Sequence, residues 1–190
     1  MKTKAELRTI YIQNRKELTI EQREFLSQKI LEHFILQFNP TENHKIHCFL
    51  PIEKFREVNT IPLMNYCFEH GIRFFVPKVM GDKLISVELF SDSELEYNAW
   101  GILEPKTHVD AQVKDFDFVI TPLLYCDPNG NRVGYGKGFY DGLFSSISTH
   151  CLKIGVNFFP PKECISDLRS EDISLDYLII PSSVFSFKIG

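Results

Sequence analysis

Five of the chain's ten glycines fall inside the sixteen residues "DPNGNRVGYGKGFYDG" (127–142), a stretch that also carries Arg132, Lys137 and Asp141. Gly134, Gly136 and Gly138 alternate there with Tyr135, Lys137 and Phe139. Glycines this close together let the main chain take left-handed turns and present several N–H groups to one side. If "FYDGLF" opens a helix, those amides and the helix dipole suit a phosphate. Arg132 adds a planar fork and Lys137 a compact positive charge. Neither standard phosphate signature fits. No GxxxxGK[ST] can be laid on the stretch, and Phe139 and Asp141 stand where GxGxxG requires its last glycine. The residues alone leave two readings open, a phosphate cradle or an ordinary glycine-rich hairpin or loop. Asp141, in a first helical turn, is either a partner for the dipole or a ligand for magnesium, which takes one or two carboxylates and completes its shell with phosphate and water. Asp176 in "SLDYLIIP" is a second acid of the same kind, although it begins a strand.

Such a segment needs a scaffold. Residues 2–16 read as a helix with Leu7, Ile10 and Tyr11 on one face. A second helix opens at Thr19, with Gln22 completing a capping box, and keeps Leu26, Ile30, Leu31, Phe34, Ile35 and Phe38 at helical spacing. The period then changes. "KIHCFLP" (45–51) and "IRFFVPKV" (72–79) read as buried strands, and the helix between them carries Leu63, Met64, Cys67 and Phe68 on one face, with Gly71 ending it. That is a βαβ unit. "GDKLISVELF" (81–90), "DFDFVITP" (115–122), "LKIGVNFFP" (152–160) and "LDYLIIP" (175–181) supply further strands. Pro51, Pro77, Pro122, Pro160 and Pro181 are expected to mark strand ends. In a parallel α/β sheet ligands gather outside those ends, so the glycine segment, just past residue 122, belongs to a candidate site.

Composition sets the limits. At 190 residues the chain is expected to form one domain spanning 1–190. A net charge of −4 argues against a nucleic-acid footprint. No apolar run approaches the roughly 18 residues of a membrane span, and the charged N-terminus lacks a secretory core. Five cysteines without a CxxC pair suggest reduced thiols and a cytoplasmic location. The histidines show no metal-binding spacing.

"GNRVGYGKGFYDGLF" closely resembles the signature of the 5-formyltetrahydrofolate cyclo-ligases, also called methenyltetrahydrofolate synthetases. The resemblance runs in order across most of the chain. "KAELR" (4–8) is similar to the family's Lys-xxx-Arg opening, and "FLPIEKFREVNT" (49–60) to its first-strand segment. "WGILEP" (100–105) resembles its Gly-x-x-Glu-Pro element, and "FVITPLLYCDPNGNR" its strand into the signature. The resemblance implies a three-layer α/β fold, with a mainly parallel central sheet and helices on both faces. It also implies an ATP- and Mg²⁺-dependent conversion of 5-formyltetrahydrofolate to 5,10-methenyltetrahydrofolate. The γ-phosphoryl of ATP would activate the formyl oxygen, and N10 would then close the ring.

Carried over by position, Lys4 and Arg8 would hold ATP phosphates, and Arg132, Val133, Gly134, Tyr135, Gly136, Lys137, Gly138, Phe139 and Tyr140 would wrap the triphosphate. Lys137 and Arg132 would be catalytic, and Tyr135 to Phe139 would also lie near the formyl group. Leu50 and Glu57 would contact the folate, and Asp141 and Asp176 would serve Mg²⁺. Tyr135 stands where some members carry Arg. Trp100 is a further stacking candidate. The expected partners are reduced folate and ATP, without nucleic acid or membrane, and the chain is expected to be a monomer or weak homo-oligomer. Two other readings share the architecture: a phosphosugar isomerase or CoA-transferase-like enzyme, and a non-catalytic folate or nucleotide binder.

Overall fold

The computed structural model describes residues 1–81, 83–99 and 101–188. Two capping boxes start the chain. Thr3 and Glu6 open α1 (Lys4–Glu17), and Thr19 and Gln22 open α2 (Ile20–Phe38). Each satisfies amide groups that the first helical turn leaves without partners. The apolar segment β1 (Lys45–Cys48) follows, then α3 (Ile61–Glu69) and β2 (Arg73–Met80). Gly71 ends α3 as expected. With φ at 66° it lets its own N–H reach Phe68 and that of Ile72 reach Cys67, the paired bonds of a Schellman turn.

β3 (Lys83–Leu89) returns antiparallel to β2, and β4 (Leu95–Tyr97) pairs with β5 (Leu103–Pro105) in a small hairpin. Next come β6 (Phe118–Pro122), a tight hairpin of β7 (Tyr125–Cys126) and β8 (Arg132–Val133), and α4 (Phe139–Ser146). β9 (Leu152–Val156), β10 (Tyr177–Ile180) and β11 (Ser183–Ser186) complete the chain. The main sheet runs β11-β10-β9-β6-β1-β2-β3, with its five central strands parallel and the two edges antiparallel.

Strand alternation assigns the two faces. Ile46, Phe74, Phe118, Ile120, Ile154 and Ile179 point to one side, where α2 brings Ile30 and Phe34 and α3 brings Leu63 and Cys67. Phe75, Val119 and Leu178 point to the other, against Leu143 and Phe144 of α4. Helices therefore cover both faces of a mainly parallel sheet, as the sequence led us to expect. α1 stands apart from both layers. Its Leu7 packs with Tyr125, Val133 and Ile165, and Tyr11 stacks on Tyr125 at 4.5 Å, so the helix lies on the β7–β8 hairpin. No described helix is long and apolar enough to cross a membrane.

Two expectations are corrected. Pro77 does not end its strand, because β2 continues to Met80 with Pro77 opposite Ser86 of β3. The β1 ladder has already stopped at Phe75, so on that side no partner is registered opposite the missing N–H. Ile10 is exposed and does not belong to the docking face of α1. Arg15 is buried on α1, which the apolar stripe gave no reason to expect.

Candidate active site

The glycine-rich segment is both a hairpin and a loop. Asp127, fully buried, makes the hairpin: one carboxylate oxygen accepts the N–H groups of Asn129 at 2.9 Å and Asn131 at 3.0 Å, and the other that of Ile165 at 3.2 Å. Gly130 turns the chain at φ 82°, where a Cβ would lie 2.8 Å from Phe187. The chain then leaves β8 at Gly134 and reaches α4 through Gly136 (φ 89°) and Gly138 (φ 71°), the second of which caps the helix with no side chain of its own. Among the described residues the amides of Tyr135, Gly136 and Lys137 donate to no protein group, and Lys137 is exposed without an ion-pair partner. An anion placed here would meet free N–H groups, a helix N-terminus and an uncommitted ammonium.

α1 holds this loop. Arg8 Nε donates to the Gly134 carbonyl at 2.9 Å, and its guanidinium lies 3.6 Å from where a Cβ on Gly136 would be. Lys4 is bonded to Asp172. Arg132 is committed as well. It pairs with Asp141 at 2.6 Å, donates to the Ile173 carbonyl and lies 4.7 Å over the Phe144 ring, which leaves its side chain only 8% exposed. Of the basic residues the sequence assigns to phosphate, Lys137 is free, while Lys4, Arg8 and Arg132 fix the segments around it. Val133 is buried in the α1 cluster and can offer a ligand only its backbone.

The folate-side candidates meet the same loop. Leu50 and Glu57 follow β1, and both are buried. Glu57 accepts the Ile52 N–H at 2.8 Å, and the Tyr135 hydroxyl lies near enough to act on its carboxyl. Burial pushes its carboxyl above the ordinary value, while the Ile52 N–H, the Arg15 charge and the Tyr135 hydroxyl act against that rise. The Tyr135 ring stacks on Phe55 at 4.8 Å. Phe139 opens α4, and the neighbouring Tyr140 has a buried hydroxyl with no partner, its acidity suppressed by that burial. An orphaned buried hydroxyl is the kind of group a polar ligand satisfies.

The two acids are placed differently. Asp141 sits in the first turn of α4, bound by Arg132 and by the Ile173 N–H at 3.2 Å. Asp176 precedes β10 and accepts the Lys153 N–H at 2.7 Å and its ammonium at 3.5 Å. No contact joins the two, and no group of three or more His, Cys, Asp or Glu that could hold a metal stands together among the described residues. The donors present fit an ion that brings most of its own ligands and do not fit a resident metal centre. Trp100 lies outside the described residues.

Residues 1–159 match the 5-formyltetrahydrofolate cyclo-ligase family. The chain belongs to that family. It is 28% identical over 182 residues to the 5-formyltetrahydrofolate cyclo-ligase of Escherichia coli K12, covering 92% of this chain and 98% of that protein. A probable 5-formyltetrahydrofolate cyclo-ligase from Schizosaccharomyces pombe is 30% identical over 147 residues, 68% of this chain and 71% of its own length. Among solved structures, the 5,10-methenyltetrahydrofolate synthetase of Aquifex aeolicus superposes with a TM-score of 0.79 at 28% identity, covering 98% of this chain and 94% of that one. That of Mycoplasma pneumoniae gives 0.72 at 25% identity, over 94% and 98%.

Sequence reasoning missed two residues around this cyclo-ligase loop, Arg15 and Phe55. Arg15 lies in phase with Leu7 and Tyr11 on α1, so a basic residue recurring on an apolar face was the available signal. Phe55 sits in a three-residue 3₁₀ turn, Glu53–Phe55, too short to show a period.

Proposed function

We propose that this chain converts 5-formyltetrahydrofolate to 5,10-methenyltetrahydrofolate at the cost of ATP. The observation that carries the reading is Tyr135. It belongs to the glycine loop, whose free amides suit a triphosphate, and it reaches the buried Glu57, whose carboxylate suits the amino-pyrimidine edge of a pterin. One residue thus links the place for ATP with the place for folate.

In this reading the loop amides and Lys137 cradle the β- and γ-phosphates, and Arg8 and Lys4 hold the loop from α1. The formyl oxygen is a poor leaving group. Transfer of the γ-phosphoryl to it leaves ADP and an activated carbon, which N10 attacks to close the ring with release of phosphate. The oxygen lost from the formyl group leaves on that phosphate. Such a transfer needs position and charge neutralisation more than a protein nucleophile. Magnesium, when bound, neutralises phosphate charge. Asp141 is the residue to hold it, with phosphate and water oxygens for the rest of its shell. Asp176, already engaged by Lys153, serves the strand start. The partners are small molecules, and the composition suits the cytoplasm.

The test is to follow methenyl-folate absorbance from 5-formyltetrahydrofolate with purified protein, with and without ATP and Mg²⁺. The reading requires absorbance that depends on both. Conversion that ignores ATP, or ATP-dependent protein without conversion, would refute it.

A further inference from the structure

Arg15 is 2% exposed, a buried cation on a helix where Lys4 pairs with Asp172 and Arg8 holds loop backbone. Its two terminal nitrogens are used on two groups, while Nε is buried with no partner among the described residues. One nitrogen donates to the Tyr135 hydroxyl at 3.0 Å and the other to the Leu123 carbonyl, just past β6, while the guanidinium lies 5.9 Å from the centre of the Phe158 ring. No carboxylate among the described residues touches it. Glu57, also 2% exposed, has no cation in direct contact either. A buried charge without a counter-charge is costly, and here the two opposite charges are joined by one phenol. The Tyr135 hydroxyl accepts from Arg15 and faces Glu57, and its ring is clamped flat on Phe55. Buried Arg15 from α1, half-buried Tyr135 from the glycine loop and buried Glu57 from the segment after β1 stand in sequence.

We propose that Arg15 is a positioning residue for the ligase reaction, acting through the Tyr135 hydroxyl to keep Glu57 aimed at the pterin edge. The inference rests on the cyclo-ligase reading and adds to it a residue that touches neither substrate. The titratable and charged groups that act electrostatically on Glu57 include Arg15 from α1, Tyr135 from the loop, Tyr140 from α4, Cys48 from β1 and Glu53 from its own segment. Arg15 is the one cation among them. Without it, desolvation of Glu57 is opposed by the Ile52 N–H and the Tyr135 hydroxyl alone, and the balance moves towards the protonated acid. A protonated carboxyl cannot accept both the ring N–H and the exocyclic amine of a pterin, whereas the carboxylate can. Substrate capture, rather than phosphoryl transfer, should feel the loss.

The experiment compares wild type, Arg15→Gln, Arg15→Lys and Tyr135→Phe by steady-state kinetics across pH. In parallel, the Glu57 carboxyl is titrated by carbon NMR with labelled glutamate and assigned with Glu57→Gln. Arg15→Gln should raise KM for 5-formyltetrahydrofolate about 10-fold or more and leave KM for ATP within about 2-fold, the size expected for losing one charge-assisted link. The acid limb of kcat/KM for folate should move to higher pH, together with the Glu57 titration. Arg15→Lys should restore the pH position but not the full affinity, because an ammonium lacks the fork. If Arg15→Gln does not fold, Tyr135→Phe decides, since it severs the same link and leaves both charges in place. A merely structural Arg15 would lower the melting temperature without moving the acid limb or the folate KM, and that outcome overturns the proposal. Wild-type protein without ATP-dependent conversion would overturn the cyclo-ligase reading instead. The NMR titration still separates the two, because an unshifted Glu57 in Arg15→Gln refutes the coupling whatever the activity.

Discussion

Arg8 Nε donates to the carbonyl of Gly134 at 2.9 Å, across 126 positions of sequence. This bond makes the first helix part of the glycine loop. It also changes what a substitution at Arg8 would do, because the side chain supports loop backbone as well as carrying charge. Arg8→Met should weaken ATP binding about 10-fold or more, while Lys4→Met, which breaks only the contact with Asp172, should cost less. Calorimetric titration with ATP and with folate separates the effects. Equal ATP affinity in wild type and Arg8→Met would reduce α1 to a packing element.

Lys137 is exposed and makes no ion pair among the described residues. Lys137→Ala should therefore leave the melting temperature unchanged while lowering kcat by about 100-fold or more, the scale for removing one group that meets transition-state charge. Lys137→Arg should recover only part of it. A full ATP-dependent rate in the alanine variant would remove the loop from the chemistry.

Asp141→Asn should raise the magnesium concentration needed for half-maximal rate more than it changes folate affinity. It should also loosen Arg132, its partner at 2.6 Å, so the thermal melt will report a modest loss. Asp176→Asn should affect stability alone, since one of its carboxylate oxygens already accepts from both the N–H and the ammonium of Lys153. A magnesium phenotype at Asp176 would contradict that division.

His47 lies at the centre of β1, fully buried, with both ring nitrogens unpartnered and the Phe116 ring 5.1 Å away. Burial holds it neutral, its pKa lowered from 6.5 to about 3. The unfolded chain takes up this proton below 6.5 and the folded chain does not. The stability is thus fully present above about pH 6.5 and declines as pH falls towards 3, by up to about 1.4 kcal/mol per unit. His47→Leu should narrow the gap between melting temperatures at pH 7.5 and pH 5. An unchanged gap would mean that His47 does not govern the acid response.

The parallel strands were legible because short apolar runs bounded by proline or glycine are what a sheet buried on both faces requires. The hairpins β4–β5 and β7–β8 and the edge strand β11 were not, because two to four residues are too few to show alternation. At the site, the glycine loop announced itself through φ-permissive residues, and two are indeed used at positive φ, Gly136 and Gly138. The commitments of the charges stayed hidden. Arg132 and Asp141 lie nine positions apart, a spacing that no helix or strand rule pairs, and they meet only because the loop turns between them. Arg15 was hidden for the opposite reason. Its phase on α1 was visible, but its partner Tyr135 lies 120 positions away.

The most direct measurement follows the formyl oxygen. The protein is supplied with 5-formyltetrahydrofolate labelled with oxygen-18 in the formyl group, together with unlabelled ATP and Mg²⁺, and the released phosphate is analysed by mass spectrometry. Activation of that oxygen by the γ-phosphoryl predicts one heavy oxygen in every phosphate formed, in step with methenyl-folate. Unlabelled phosphate, with methenyl-folate still appearing, would contradict the account.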